Sequence, residues 1–452
     1  MSALPPGPPL PASVQTALML RWWSACVFAC QRRYGNVFTV RLAGYGPGVY
    51  LADPDDIKTV FAGDPRIFHA GEANSILAGI LGRSSVLVLD EDLHRDRRRL
   101  MLAPFRRDAV ARQSGLIAQI TAANVAGWPV GTEFAVGPKM AQITLEVILR
   151  TAIGASDPAR LAALRDVMPR LLSLSAFDTL AIARPRLQRR WPWRSLRRHI
   201  AEADALLYAE IAERRADPDL AERTDALAML VRAADDSPGS EGRQMTDAEL
   251  RDQLMTLLLA GHETTANALS WALERLTRHP QALARAVEAA HASAAGDPAG
   301  DDYLDAVAKE TLRIRPVVFD VGRVLKEPVE VAGYRLPAGV TVIPAIGLVH
   351  ASDAVYDDAA QFRPERMLNA TLSPTTWLPF GGGNRRCLGA NLALAEMRIV
   401  LREVLRQADL ETTSAPGERM RVVGIIHQPH RGARIRVRAL RSSQIDAENR
   451  SR

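Results

Sequence analysis

Phe380-Gly381-Gly382-Gly383-Asn384-Arg385-Arg386-Cys387-Leu388-Gly389 is the stretch on which the reading of this chain turns. It is a glycine-rich loop that carries one cysteine and runs into a helix-forming string from Ala390 to about Arg406. A cysteine delivered to the start of a helix meets the positive end of the helix dipole. Free backbone N–H groups there favour the thiolate and can hydrogen-bond its sulfur. The glycines let something flat and bulky approach the backbone. Such a thiolate is suited to binding a metal; a buried structural cysteine beside a turn is the other reading of the same residues.

Upstream, Thr246-Asp247-Ala248-Glu249 has the pattern of a capping box. Apolar or small residues then continue without a breaker to about Arg278, where His279-Pro280 stops them. The spacing predicts one helix of roughly thirty residues, about 45 Å long. Leu254 to Gly261 is apolar on every face, which carries that helix through the core. Most of the remaining chain also reads as helix. Strands are few and lie towards the two ends: Phe38 to Leu42 with Gly48 to Ala52, segments within Val329 to Ile346, and an edge strand around Ile435 and Val437 that alternates with Arg434, Arg436 and Arg438. The expected fold class is mainly α with a small β region, α+β.

Composition narrows the function. The 452 residues are 47% hydrophobic and 24% charged, a globular balance that excludes disorder and fibrous repeats. The net charge of +6 is a weak field over so long a chain, so a nucleic-acid partner is not expected. Three cysteines, Cys26, Cys30 and Cys387, are no disulfide framework, and a reducing cytoplasm is the expected compartment. Cys26 and Cys30 share a helical face without a nearby histidine, which suits buried apolar residues better than a metal site. The apolar stretch Thr16 to Cys30 is shorter than the roughly 20 residues of a span and is interrupted by Arg21, so no transmembrane helix is expected. The start, with Pro5, Pro6, Pro8, Pro9 and Pro11, is a stiff extended leader and not a signal peptide.

The loop resembles the haem-binding signature of the cytochrome P450 family, whose Phe, Gly, Gly, basic residue, Cys and Gly fall on Phe380, Gly381, Gly383, Arg385, Cys387 and Gly389. Six such matches arise by chance on the order of once in 10⁵ chains of this length. The resemblance implies that Cys387 is the axial thiolate on the iron of haem b and that Arg385 meets a haem propionate. Ala260-Gly261-His262-Glu263-Thr264-Thr265, in the middle of the long helix, matches the family's oxygen-side motif. By the resemblance Ala260 and Gly261 border the haem, and Glu263 and Thr264 are the acid and alcohol that manage protons. A threonine one turn after Ala260 can bond back to that residue's carbonyl or point into a cavity. His262 reads as a satisfied core or surface histidine.

Glu310 and Arg313 stand three apart on one helical face, ordinarily a pair of little weight. In the family this Glu-x-x-Arg couples to an arginine of a Phe-x-Pro-x-Arg segment, matched by Phe362 to Arg366, so Glu310, Arg313 and Arg366 are expected to form a buried structural network. His94 and Arg98, four apart in the run His94 to Arg99, match the family's propionate clamp, and Arg323 matches a further propionate arginine. Arg95, Arg97 and Arg99 are then expected to face outward beside Arg386, a basic dock for an acidic ferredoxin or flavodoxin with its reductase. A second basic run, Arg184 to Arg198 with Trp191 and Trp193, is read as a solvated loop, with a peripheral membrane contact as the alternative.

The resemblance spans Tyr34 to Leu440. It implies a leader and first helix over 1–33, one haem-thiolate monooxygenase domain over 34–440, and a polar, frayed tail over 441–452. It also implies insertion of one atom of O₂ into a hydrophobic small molecule. Pocket segments are expected near Ala70 to Val86, Met168 to Phe177, Leu257 to Thr265, Val317 to Val321 and Ile425. A peroxide-driven peroxygenase and a non-catalytic haem sensor or carrier are the alternatives.

Overall fold

Thr246 starts the helix around which the other elements pack. The computed structural model describes residues 4–155, 157–172, 182, 186, 193–235 and 243–441. In it the Thr246 hydroxyl accepts from the Glu249 N–H while the Glu249 carboxylate accepts from the Thr246 N–H, so the predicted capping box is present. The helix Asp247–Arg278 has 32 residues and ends at His279, ahead of the Pro280 that opens the next helix. Leu250 to Leu258 and Thr265 to Thr277 are almost wholly buried.

The helix Gly137–Ile148 packs along it. Gly261 makes room for this neighbour: a Cβ there would stand 2.9 Å from Ile148 Cδ1. The helices Pro158–Leu172 and Arg194–Arg215 lie against each other and reach the long helix, as do Pro280–Ala294, Pro298–Ile314 and Ala390–Gln407. Their apolar faces share one principal core, which runs from Ile80 through Leu269 and Leu312 to Val437. Two smaller cores sit on the main sheet, one around Val49, Leu51 and Val342, the other around Met19, Val27, Phe38 and Phe319.

That sheet has five strands in the order Val37–Leu42, Gly46–Leu51, Thr341–Pro344, Arg323–Leu325, Phe68–His69. The first pair is antiparallel with Phe38 opposite Tyr50, and their rings stack at 5.1 Å. Thr341–Pro344 then pairs parallel with Gly46–Leu51, an association across nearly the whole chain. The strand Arg434–Leu440 departs from expectation. It is not an edge but the centre of a three-stranded sheet, between Ala408–Glu411 and Glu133–Ala135. Its alternating arginines face cross-strand carboxylates, Arg438 with Asp409 at 2.7 Å and Arg436 with Glu133 at 3.7 Å. The pattern that suggested open solvent is neutralised by its neighbours.

The proline leader is fastened down. Thr39 donates its N–H to Pro6 O (2.9 Å) and its hydroxyl to Pro5 O (2.7 Å). Two residues on, the Arg41 N–H is accepted by the side chain of Gln15, whose amide nitrogen donates to Leu10 O at 2.8 Å and Pro8 O at 3.2 Å. Gln15 lies in the first helix, Ala12–Tyr34, which departs from helical geometry at Trp22 (φ −142°). Among the described residues no helix is long and apolar enough to cross a membrane. Of the predicted tail only Arg441 lies within the described residues, its N–H bonded to Gln407 O at 2.8 Å.

Pro280–Ala294 and Pro298–Ile314 meet at Gly300, where a Cβ would overlap the backbone of Ser293 and Ala289. Helix propensity favours Gly300→Ala by about 1 kcal/mol, but backbone cannot rotate aside, and crowding of this kind costs up to about 3 kcal/mol. Gly300→Ala is therefore expected to lower Tm by up to about 2 °C; a Tm equal to or above that of the wild type in calorimetry contradicts the close approach.

Candidate functional site

The cysteine loop is shaped by its glycines. Gly381 and Gly383 adopt φ of 66° and 65°, and a Cβ on Gly382 or Gly383 would run into Phe61 of the helix Pro54–Ala62. The Cys387 N–H closes the loop on Phe380 O at 2.9 Å, and Phe380 packs edge-on to Trp377. A Cβ on Gly389 would stand 4.0 Å from the Cys387 sulfur, and one on Gly381 would meet nothing, so the loop leaves room beside the thiol.

Cys387 keeps an accessible face although protein surrounds it closely. That enclosure is the largest influence on its thiol and raises it above the ordinary value, while the Gly389 N–H, Arg98 and Arg386 pull the other way. The sequence predicts the opposite direction. The reason is placement: the following helix begins at Ala390 with Gly389 as its cap, so Cys387 stands outside the first turn. Such a thiol loses its proton to solvent most readily when a metal cation takes the proton's place on sulfur.

Four basic side chains converge nearby from separate segments. Asp90 fastens one of them: its carboxylate accepts the Gly71 and Glu72 N–H groups at 2.8 Å each and Arg385 Nη2 at 2.5 Å. Arg385 donates further to Leu89 O and Val86 O, so much of its guanidinium is already engaged. His94 and Arg98 come from the helix Glu91–Met101. His94 is buried, and burial, then Arg385, Arg98 and Arg323, push its imidazole down to about 3. Arg323 is likewise buried and drawn down to about 10 by burial and then by Arg385; it donates to Gly322 O and lies over the Phe61 ring. Each cation disfavours the next, an arrangement that suits a ligand carrying more than one carboxylate.

Arg97 does not face outward as expected. Its side chain is nearly buried and pairs with Glu249 at 2.7 Å, joining the Glu91–Met101 helix to the start of the long one. Arg95 is exposed and pairs with Asp92; Arg99 and Arg386 are exposed.

In the middle of the long helix the burial breaks. Ala260 is exposed and Leu259, Gly261, Glu263 and Thr264 partly so, although the flanking turns lie in the principal core. Thr264 Oγ1 donates to Ala260 O at 2.6 Å, the back-bonded alternative. Burial raises the Glu263 carboxyl to about 7. His262 points away into the core, where Thr144 Oγ1 lies 2.9 Å from its Nδ1, and burial lowers it to about 4. It is the satisfied core histidine that was expected.

Glu310, Arg313 and Arg366 form the predicted network. Arg313 holds both Glu310 oxygens at 2.8 Å, and Arg366 Nε adds a bond to Glu310 Oε1 at 3.0 Å. Arg313 also donates to the carbonyls of His350, Ala359 and Gln361, and Arg366 to those of Asp357 and Asp358. His350 is the participant that sequence reasoning missed. Its buried Nε2 accepts the Leu378 N–H at 2.9 Å, and Leu378 O in turn accepts the Gly381 N–H at 2.9 Å. The network thereby reaches the cysteine loop through a residue that no sequence pattern marks.

A family model described as cytochrome P450 matches residues 5–432. The chain belongs to the cytochrome P450 family. It is 70% identical over 438 residues to cytochrome P450 135B1 of Mycobacterium bovis and Mycobacterium tuberculosis, covering 97% of this chain and 92% of the relative. Cytochrome P450 135A1 of Mycobacterium tuberculosis is 39% identical, covering 96% of this chain and 95% of that protein. The retinoic acid bound cyanobacterial CYP120A1 has the same fold, with a TM-score of 0.84 at 24% identity over 98% of this chain and all of that one. This cytochrome P450 is accordingly a monooxygenase, an oxidoreductase whose family cofactor is haem with a thiolate ligand. The accessible thiol, the open side of the glycine loop and the gathered basic side chains fit that group.

Arg366→Met would leave the buried Glu310 with one guanidinium and the Asp357 and Asp358 carbonyls without their donor. Breaking a buried pair in this way costs about 3–5 kcal/mol. The variant is expected to show a lower denaturation midpoint and a smaller haem-loaded fraction on purification; wild-type values for both contradict the role given to the network.

Proposed function

We propose that this cytochrome P450 inserts one atom of O₂ into a hydrophobic small molecule, with electrons from a separate acidic ferredoxin or flavodoxin and its reductase, by the balance RH + O₂ + 2e⁻ + 2H⁺ → ROH + H₂O. The observation that carries this reading is Glu263 beside Thr264 in the accessible window of the buried helix, with its carboxyl raised to about 7. An acid that titrates near working pH can both give up a proton and be refilled. Haem b held through Cys387 would supply the chemistry that activates oxygen.

The chain's own residues divide the remaining tasks. His94, Arg98 and Arg323, with the outer donors of Arg385, would bind the two haem propionates, because guanidinium meets carboxylate with two parallel hydrogen bonds. Phe380, Gly381, Gly389 and Ala260 would border the macrocycle. Gly261 is better assigned to helix packing, since its missing side chain accommodates Ile148. Thr264 Oγ1, held by Ala260 O, would orient a proton that Glu263 provides. The exposed Arg95, Arg99 and Arg386 favour an acidic electron donor on the Cys387 side.

The substrate's hydrophobic character is supported by the expected pocket segments, where Ala70, Ile80, Leu81, Val86, Leu257 and Val317 are apolar and buried. Of the Met168 to Phe177 segment, the part after Leu172 lies outside the described residues. All three cysteines are free thiols, in keeping with a cytoplasmic enzyme.

Product formation with a ferredoxin, its reductase and NADPH, and none with hydrogen peroxide alone, is the expected outcome; product with peroxide and none with the reductase system overturns the reading. If Glu263 donates the proton it must be protonated to act, so coupled turnover is expected to fall as pH rises through about 7. Glu263→Gln should remove that descending limb and lower kcat by about 10²-fold; a variant with the wild-type pH profile contradicts the assignment. Cys387→Ser is expected to fold yet lose the red-shifted Soret band that a thiolate ligand gives the reduced carbon monoxide complex, and its retention would exclude Cys387 as the ligand.

A further inference from the structure

We propose that Asp320 is the polar anchor of the substrate site, and that the substrate is a hydrophobic molecule carrying a hydrogen-bond donor, a protonated amine or a hydroxyl. The proposal rests on the monooxygenase reading above, because Asp320 lies in the expected pocket segment Val317 to Val321.

Position provides the first argument. That segment connects the helix Pro298–Ile314 to the strand Arg323–Leu325, and Arg323 belongs with Arg385 to the basic side chains gathered near Cys387. Three residues span at most about 10 Å, so Asp320 is close to that group. Protein encloses the Asp320 side chain, yet the residue keeps accessible surface, the same combination that Cys387 shows. Such a group faces an internal space and not the outer surface. Val318 is partly accessible as well, whereas Val317 and Phe319 are buried.

Hydrogen bonding provides the second. Asp320 Oδ2 accepts the Trp23 indole N–H at 2.8 Å and the Tyr50 hydroxyl at 3.2 Å. Trp23 comes from the first helix and Tyr50 from the second strand of the main sheet, so two elements hold the carboxylate in place before anything binds. Oδ1 accepts no bond among the described residues. Phe28, Phe319 and Ala345 pack in the same cluster as Trp23 and Tyr50, and the surroundings are otherwise apolar.

Charge completes the case. Glu310, Glu274 and Glu210 are also deeply buried, and each meets two arginines. Asp320 meets no cation among the described residues; burial raises its carboxyl to about 6, and the bonds from Trp23 and Tyr50 oppose that rise. Glu396 lacks a cation too, but burial lifts it to about 8, so it stays neutral and requires none. Asp320 is therefore mostly ionised at neutral pH, with one oxygen open. A neutral amide would accept from Trp23 and Tyr50 equally well and at a lower desolvation cost. The charge serves something outside the chain, and an N–H or O–H on an otherwise apolar molecule answers it.

The test is titration of the haem-loaded, full-length protein with four probes that share one hydrocarbon chain: protonated N,N-dimethyldecylamine, 1-decanol, 1-methoxydecane and decanoate. Binding is read from the haem spin-state shift and by calorimetry, so no turnover is required. In the wild type the better of the two donors is expected to bind about tenfold or more tighter than the ether, with decanoate weakest. Tighter binding of the amine assigns an ammonium group to the substrate, and tighter binding of the alcohol a hydroxyl. Asp320→Asn keeps an acceptor for Trp23 and Tyr50 but turns an amide N–H₂ towards the ligand. The donor's advantage should then shrink to about twofold or less, and decanoate should gain about tenfold. Tyr50→Phe, which leaves the Trp23 bond and Oδ1 intact, should keep the wild-type order. Equal binding of donors and ether by the wild type overturns the anchor and leaves the hydrophobic substrate standing, as does an Asp320→Asn variant with the wild-type order. Binding of none of the four overturns both.

Discussion

Glu310 has left water completely, and two arginines make that possible. Its carboxylate is fully buried between Arg313 and Arg366, with the Arg363 N–H as a third kind of donor. An isolated carboxylate at that depth would be prohibitively costly, so the three side chains form a unit that is either complete or absent. Completion also fixes backbone. The spare donors of Arg313 and Arg366 take carbonyls of five residues between His350 and Gln361, a stretch with little regular structure of its own. From there His350 passes the constraint to Leu378 and so to the turn that presents Cys387. The turn that presents Cys387 is thus tied to a charge network that the thiol does not touch.

Burial treats neighbouring residues of the long helix in the same way with different results. It removes the proton from His262 and keeps one on Glu263, because a dry interior favours whichever form is neutral. For the histidine, bonded by Thr144, the outcome is inert packing. For the glutamate, at the edge of the accessible window, the outcome is an acid poised near neutrality. One physical effect thus makes a structural residue and a proton-handling candidate one position apart.

Much of this was legible in the sequence, and the failures share a cause. The capping box, the stop at His279-Pro280, the glycine loop and the Glu310 to Arg313 spacing are local patterns, and local geometry followed from them. What was misjudged depends on partners remote in the chain. Arg97 reads as a solvated cation until Glu249, more than 150 positions later, is brought beside it. Arg434–Leu440 reads as an edge because its partner strands, three and four residues long, are too short to announce themselves by alternation. His350 carries no motif, and its importance lies in its own carbonyl, which Arg313 takes, and in a ring nitrogen that accepts a backbone N–H. The thiol of Cys387 was judged from the helix that follows it, whereas the enclosure that governs it comes from the surrounding fold.

The leader has a consequence for how molecules of this protein behave towards one another. Val37–Leu42 is the outermost strand of its sheet, and the N–H groups of Thr39 and Arg41 point away from the sheet. Both are taken, one by Pro6 and the other by the side chain of Gln15. A strand edge with unsatisfied donors is a template for the same edge of another copy, and proteins that leave one open tend to polymerise through it. Proline is well chosen to cover such an edge, because it offers a carbonyl to the strand beneath and no N–H to a strand beyond. The stiff segment that looks dispensable in the sequence therefore shields this edge from self-association, and a chain trimmed at Pro11 would keep the Gln15 cap on Arg41 but carry the Thr39 N–H open into every encounter with its own kind.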